Sequence, residues 1–226
     1  MITTLIFDAE GVVIDTEHMW DRAQEELLRD YGHRYDREVV KPLLSGRSSL
    51  EGARVLKGIY HLDDTAEVID GKRMLLLIRH LSLEVDFISG FVEFFGKVSP
   101  LFKTAIATAM DLVLFDLVDQ RLGVRRLFHD NIFSLEDVAH RSKPEPDLFL
   151  FAASALGSAP SESLVIEDAP YGVEAARRAG MGCIALATTY PPSLLLAADM
   201  VISSYAEIDV STLKTNRARP GGVLPD

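Results

Sequence analysis

The chain has 226 residues, enough for one large domain or a core with a smaller insertion, and 48% of them are apolar and 25% charged. With only 15 Gly and 10 Pro, that balance excludes disordered, collagen-like and coiled-coil classes and describes a globular chain able to bury a sizeable core. Its 34 acidic against 23 basic residues leave a formal charge of −11, which repels polyphosphate backbones and anionic lipid, so neither nucleic acid nor a membrane is an expected partner.

The amino terminus, Met1 to Phe7, is a short apolar stretch without a basic flank and meets Asp8 at once, unlike a signal peptide. No apolar run approaches the ~18–20 residues that span a bilayer. Cys183 is the single cysteine and stands in an apolar run, so a buried thiol in a reducing, cytoplasmic compartment is expected.

Leu5-Ile-Phe7 predicts a buried strand that ends in an acidic turn, Asp8-Ala-Glu-Gly11. From about Thr16 to Asp86 helix follows helix with no strand-like run, which marks residues 16–86 as a helical cap inserted into a core of 1–15 and 87–213. Further buried strands are expected at Thr104–Thr108, Asn131–Ser134, Leu164–Glu167, Gly182–Ala187 and Met200–Ser203. Helices are expected over Pro146–Leu156 and Pro170–Ala179, each opened by proline and stopped by glycine. The alternation predicts an α/β fold: a Rossmann-like parallel sheet with an inserted small helical cap. Residues 214–226 carry Pro220-Gly-Gly without apolar periodicity and read as a disordered tail.

Open parallel sheets bind ligands beyond the carboxyl ends of their strands. Four such ends carry polar groups: Asp8 and Glu10, then Thr108, then Lys143 in Ser142-Lys-Pro-Glu-Pro-Asp147, and finally Glu167-Asp168. Carboxylates from two strand ends suit a hard divalent cation such as Mg²⁺, which completes its shell with water and substrate phosphate. Thr108 and Lys143 suit a phosphoryl group, helped by amides at a helix start after Thr108. A carboxylate facing a phosphorus so neutralised can attack it while a second protonates the leaving oxygen, and Asp8 and Glu10 fit those roles.

These residues resemble the haloacid dehalogenase-like phosphohydrolases, in the branch of beta-phosphoglucomutase and small sugar-phosphate phosphatases. Phe7 to Glu17 resembles the first family motif, Ile106-Ala-Thr108 the second, Ser142 to Asp147 the third and Ile166 to Met181 the fourth. The resemblance covers the chain to about residue 213, and four motifs in order make it specific. It implies a Mg²⁺ cofactor on Asp8, Asp168 and the backbone carbonyl of Glu10, with Glu167 supporting the metal. It further implies Asp8 as nucleophile, Thr108, Ala109 and Lys143 on phosphate, a small phosphorylated metabolite as substrate, and a cap after the first motif. A monomer is the default.

The sequence departs from the family pattern at several positions. Its phosphatases usually carry Asp where Glu10 stands, so the extra methylene is expected to displace the proton donor and its shortening to raise turnover. Trp20 replaces the histidine common in the mutases. Arg47 and Ser48 stand where phosphonate-cleaving relatives need a lysine, and Met110 replaces a Ser or Asn after the second motif. A phosphomutase of the beta-phosphoglucomutase type and a catalytically impaired phosphate-ligand binder remain the alternatives, and a response-regulator receiver is remote because its phosphoacceptor ends a later strand. In the insertion, Gly46 to Glu51 has two readings: Arg47 and Ser48 facing the substrate, or a plain helix start with Ser48 or Ser49 as cap and Glu51 three residues on. The six histidines lack metal-ligand spacing and receive no role, and Arg125-Arg126 and Arg177-Arg178 read as solvated helix faces.

Overall fold

The computed structural model describes residues 1–44 and 47–214. The chain runs β1 (Thr4–Phe7), β2 (Ile14–Asp15), α1 (Glu17–Asp30), α2 (Arg37–Leu44), α3 (Ser49–Tyr60), α4 (Ala66–Leu83), β3 (Asp86–Phe87), α5 (Phe91–Val98) and β4 (Lys103–Ala107). It continues through α6 (Leu112–Leu122), α7 (Val124–Phe128), β5 (Ile132–Phe133), α8 (Asp147–Ala155), β6 (Ser163–Glu167), α9 (Pro170–Arg178), β7 (Gly182–Leu186), β8 (Met200–Ile202) and α10 (Val210–Leu213).

Six strands form one parallel sheet in the order β5-β4-β1-β6-β7-β8. All six expected strands are present: β1, β6 and β7 are buried along their whole length, as strands covered on both faces that read as unbroken apolar runs, whereas the edge strands β5 and β8, also expected to be buried, are only partly covered. The first shows how the run is used: Leu5 and Phe7 join one buried cluster and Ile6 the other, as the two-residue period of a strand requires. Phe7 is fully buried and meets Phe91, Phe94, Phe95 and Phe128 edge-on, with ring centroids 5.6–6.4 Å away. On the opposite face Ile6 packs with Leu148, Phe149, Val165 and Val173 of α8, β6 and α9.

Helices α1–α4 lie between β2 and β3, which pair antiparallel through Ile14↔Phe87 and Asp15↔Asp86. β3 therefore opens at Asp86, one residue inside the stretch read as insertion. Its two-residue length escaped the sequence reading because no periodicity can be seen over so short a run. The helices close a cluster of their own from Leu27, Leu28, Tyr35, Val40, Ala53, Leu56, Leu62 and Ile69. The ends of α1 and α4 nearest the sheet instead bury Met19, Ala23, Leu77 and Leu81 in the main core.

Cys183 is buried, and among the described residues no helix is long and apolar enough to cross a membrane. Lys214, read as the start of the tail, lies over the ring of Phe102, and its carbonyl accepts from the Ile2 amide. Residues 215–226 and Gly46 lie outside the described residues.

Candidate active site

Strand register assembles the site. Phe7 is level with Ile106 of β4 and with Ile166 of β6, so the residues that follow, Asp8, Thr108 and Glu167-Asp168, emerge along one edge. Lys143 reaches the same place from the segment between β5 and α8, with 5% of its surface exposed.

Lys143 Nζ donates to Asp8 Oδ1 at 2.5 Å and to Glu167 Oε1 at 2.6 Å, and lies 4.9 Å from the centre of the Phe149 ring. Glu167 Oε2 accepts from the amides of Asp168 and Ala169, both at 2.7 Å, so both of its oxygens are committed. Thr189 donates to Asp168 Oδ2. Among the described residues Asp8 Oδ2, Asp168 Oδ1 and the Glu10 carbonyl have no hydrogen-bond donor.

Ligand atoms of Asp8, Glu167 and Asp168 lie within 4.8 Å of one another, and all three residues are buried. Three carboxylates against one ammonium leave two uncompensated negative charges when all are ionised. Burial raises the carboxyl of Asp8 to about 7 against the pull of Lys143, and burial with the neighbouring Glu167 raises that of Asp168. A hard dication fits this oxygen set, its charge and the uncommitted atoms of Asp8 and Asp168. Glu167, with both oxygens engaged by Lys143 and two amides, would order the surroundings of such an ion rather than face it with a free oxygen.

Two glycines make the crowding possible. Gly11 has φ +71°, and a Cβ there would sit 2.0 Å from Asp168 Oδ2. A Cβ on Gly172 would sit 1.7 Å from Glu167 Oε1, so α9 meets the carboxylate through a residue without a side chain.

The loop after β4 departs from expectation. α6 begins at Leu112 and not directly after Thr108, because Asp111 caps it by accepting from the Val113 amide at 2.8 Å. The Thr108 amide pairs with the Phe133 carbonyl, and the Met110 amide donates to Thr108 Oγ1 at 3.0 Å. What remains toward the site is the Thr108 hydroxyl hydrogen and the amide of Ala109.

Glu10 does not dangle. Its Oε1 accepts from Thr16 Oγ1 at 2.9 Å and from Trp20 Nε1 at 2.5 Å. Two donors fix the longer side chain, which removes the reason for expecting its shortening to help. In the insertion Ser48 caps α3 in a reciprocal box with Glu51, so the helix-start reading holds, and Arg47 Nε donates to the Leu43 carbonyl at 2.7 Å. Both still line the same cavity as Asp8.

That cavity, of about 230 Å³, lies between the sheet edge and the helical insertion. Among the cavity residues that sequence reasoning missed are Trp20 as the partner of Glu10, and Gln24 and Arg73 in the insertion wall. None carries a local signal, since each is defined by neighbours distant in the chain. His140 also lines the cavity, whereas the buried His80 pairs with Glu26 away from it.

A model of the haloacid dehalogenase-like hydrolases matches residues 2–180. Fructose-1-phosphate phosphatase of Escherichia coli is 31% identical over 80% of this chain and 94% of its own. Validoxylamine A 7'-phosphate phosphatase of Streptomyces hygroscopicus is 27% identical over 92% of this chain and 96% of its own. The crystal structure of a beta-phosphoglucomutase from Clostridium difficile shares the fold with TM-score 0.80, at 22% identity, over 95% of this chain and 96% of its own. The chain belongs to the haloacid dehalogenase-like hydrolase family, as a phosphoric monoester hydrolase.

Proposed function

We propose that the chain is a Mg²⁺-dependent phosphatase that hydrolyses a small phosphorylated metabolite, of the sugar-phosphate kind, through an aspartyl-phosphate on Asp8. The carrying observation is the meeting of Asp8, Lys143, Thr108, Glu167 and Asp168 at one strand edge. The substrates named for the relatives, fructose 1-phosphate and validoxylamine A 7'-phosphate, support the substrate class.

Asp8, Asp168 and the Glu10 carbonyl would hold the ion. When bound, Mg²⁺ supplies charge neutralisation for the phosphoryl group. Lys143, the Thr108 hydroxyl and the Ala109 amide take the phosphoryl oxygens. The Asp8 carboxylate attacks phosphorus, the bond to the leaving oxygen breaks, and Glu10 passes that oxygen a proton. Water then attacks the phosphorus of the acyl phosphate, returns its proton to Glu10, and frees Asp8. Helices α1–α4 act as the cap, with Arg47 and Ser48 at the substrate's edge, and exclude bulk water.

The mutase alternative has no observation of its own, since Trp20 is committed to Glu10 and the beta-phosphoglucomutase likeness concerns the fold. A chain of charge −11, acting on a diffusible phosphorylated substrate, is read as a cytoplasmic enzyme with neither nucleic acid nor a membrane as partner, and a monomer is kept as the default.

Phosphate release from a panel of phosphorylated metabolites tests the reading. Turnover with Mg²⁺ is expected, with loss in EDTA, recovery on adding Mg²⁺, and none in Asp8→Asn. Full activity in chelator sinks the metal, and silence across the panel sinks the phosphatase.

A further inference from the structure

Arg73 is a buried cation in the insertion wall, 4% exposed, on the face of α4 that also carries Ile69, Leu77 and Leu81. Its guanidinium lies over Trp20, 4.8 Å from the ring centre. Nη2 donates to Ser49 Oγ at 3.1 Å, whereas Nε and Nη1 have no partner among the described residues. Among the described residues Arg73 makes no ion pair, and Asp70 is linked to it through the Ser49 hydroxyl, which donates to Asp70 Oδ1 at 2.5 Å.

Neither lysine of the cavity is open to the leaving portion of a substrate: Lys41 is paired with Glu17, and Lys143, beside Asp8 and Glu167, is assigned to the phosphoryl group. Gly52 makes room for the guanidinium, since a Cβ there would lie 2.7 Å from Nη1. Beside these unmet donors the cavity wall holds an unmet acceptor, the buried Oε1 of Gln24. Asp70 and Glu10 lie near enough to act on its charge, yet neither meets Nε or Nη1, and buried donors that have given up water without gaining a partner are costly.

Resting on the phosphatase reading, we propose that Arg73 recognises a second acidic group, a carboxylate or a second phosphate, on the leaving portion of the substrate, with Gln24 accepting from a hydroxyl beside it.

Two probes separate the charge from everything else. 3-Phosphoglycerate and glycerol 3-phosphate share a three-carbon phosphate and differ in carboxylate against hydroxymethyl. The wild type is expected to favour the acid in kcat/KM by about tenfold or more, the scale of one hydrogen bond to a charged group. Arg73→Gln should bring that ratio near one, and Arg73→Lys should keep part of it. The ratio is the readout because Arg73 also backs Trp20 and hence Glu10, an effect that slows both substrates alike.

Equal slowing of both in Arg73→Gln, or a wild type that prefers the neutral compound, overturns the proposal. The wild-type ratio needs no variant, so a misfolded Arg73→Gln leaves the test intact. If neither compound releases phosphate, the phosphatase reading fails separately for this pair, and calorimetric titration with the same two compounds decides. Tighter binding of the acid, lost in Arg73→Gln, sustains the proposal, and equal or no binding overturns it.

Discussion

Glu10 Oε1 accepts from both Thr16 and Trp20, and an aspartate at that position would stop about one methylene short of the indole. Glu10→Asp is therefore expected to lower kcat, and Trp20→Phe, which keeps the ring and loses the donor, to do the same. General acid–base help is worth about 10²–10⁴-fold, so steady-state kinetics should resolve even a partial loss in either variant. Mg²⁺ affinity should change little, because on the proposed reading the ligand at this position would be the backbone carbonyl. A faster Glu10→Asp would mean that the longer side chain hinders the proton transfer.

Asp8 gives a second prediction at this scale, with a definite sign. Burial raises its carboxyl from 3.8 to about 7, so between those values the folded metal-free chain holds a proton that the unfolded chain has lost. Its contribution to stability then falls as pH rises through that window, and ion uptake there releases protons. Thermal unfolding of metal-free wild type and Asp8→Asn should show the variant gaining relative stability from about pH 4 to about pH 7. A constant difference across that range would place the Asp8 pKa near its ordinary value in the folded protein.

Among the elements, the turn between β1 and β2 is constrained both by its backbone and by its neighbour. Gly11→Ala adds a Cβ at φ +71°, against the Asp168 carboxylate. Left-handed strain costs about 1–2 kcal/mol, and the displaced carboxylate adds a loss of metal affinity. Calorimetric Mg²⁺ titration should show weaker binding together with a lower Tm, and an unchanged affinity would mean that Asp168 has room to shift.

The six sheet strands were legible because each is an apolar run closed by a turn, and the site residues because they end those runs. The β2–β3 pair was not, since two residues show no period. Arg73 was not either: at helical spacing from Ile69 and Leu77 it occupies a buried stripe, and charge alone argues for the outside. The capping of α6 by Asp111 was hidden by an extended loop that sequence alone does not distinguish from a first helical turn.

Across the whole molecule the buried apolar residues fall into two clusters on the faces of the sheet and a third, smaller one among α1–α4. Cooperative units follow such boundaries, and a smaller cluster buries less to hold itself together. Native-state amide exchange is expected to find α2 and α3 opening at lower free energy than β1, while the end of α4 around Leu77 and Leu81 exchanges with the sheet. Equal protection of α3 and β1 would mean that the molecule opens as one body.

The short β2–β3 pair then acquires a meaning beyond closing the insertion. Ile14 and Phe87 are adjacent across it, so everything from α1 to α4 begins and ends at one point. A melted insertion would hang from that knot as a closed loop, its ends already fixed beside each other, and could refold without searching for them. Partial unfolding on one side of the knot would be a reversible excursion that leaves the other side's strand edge intact.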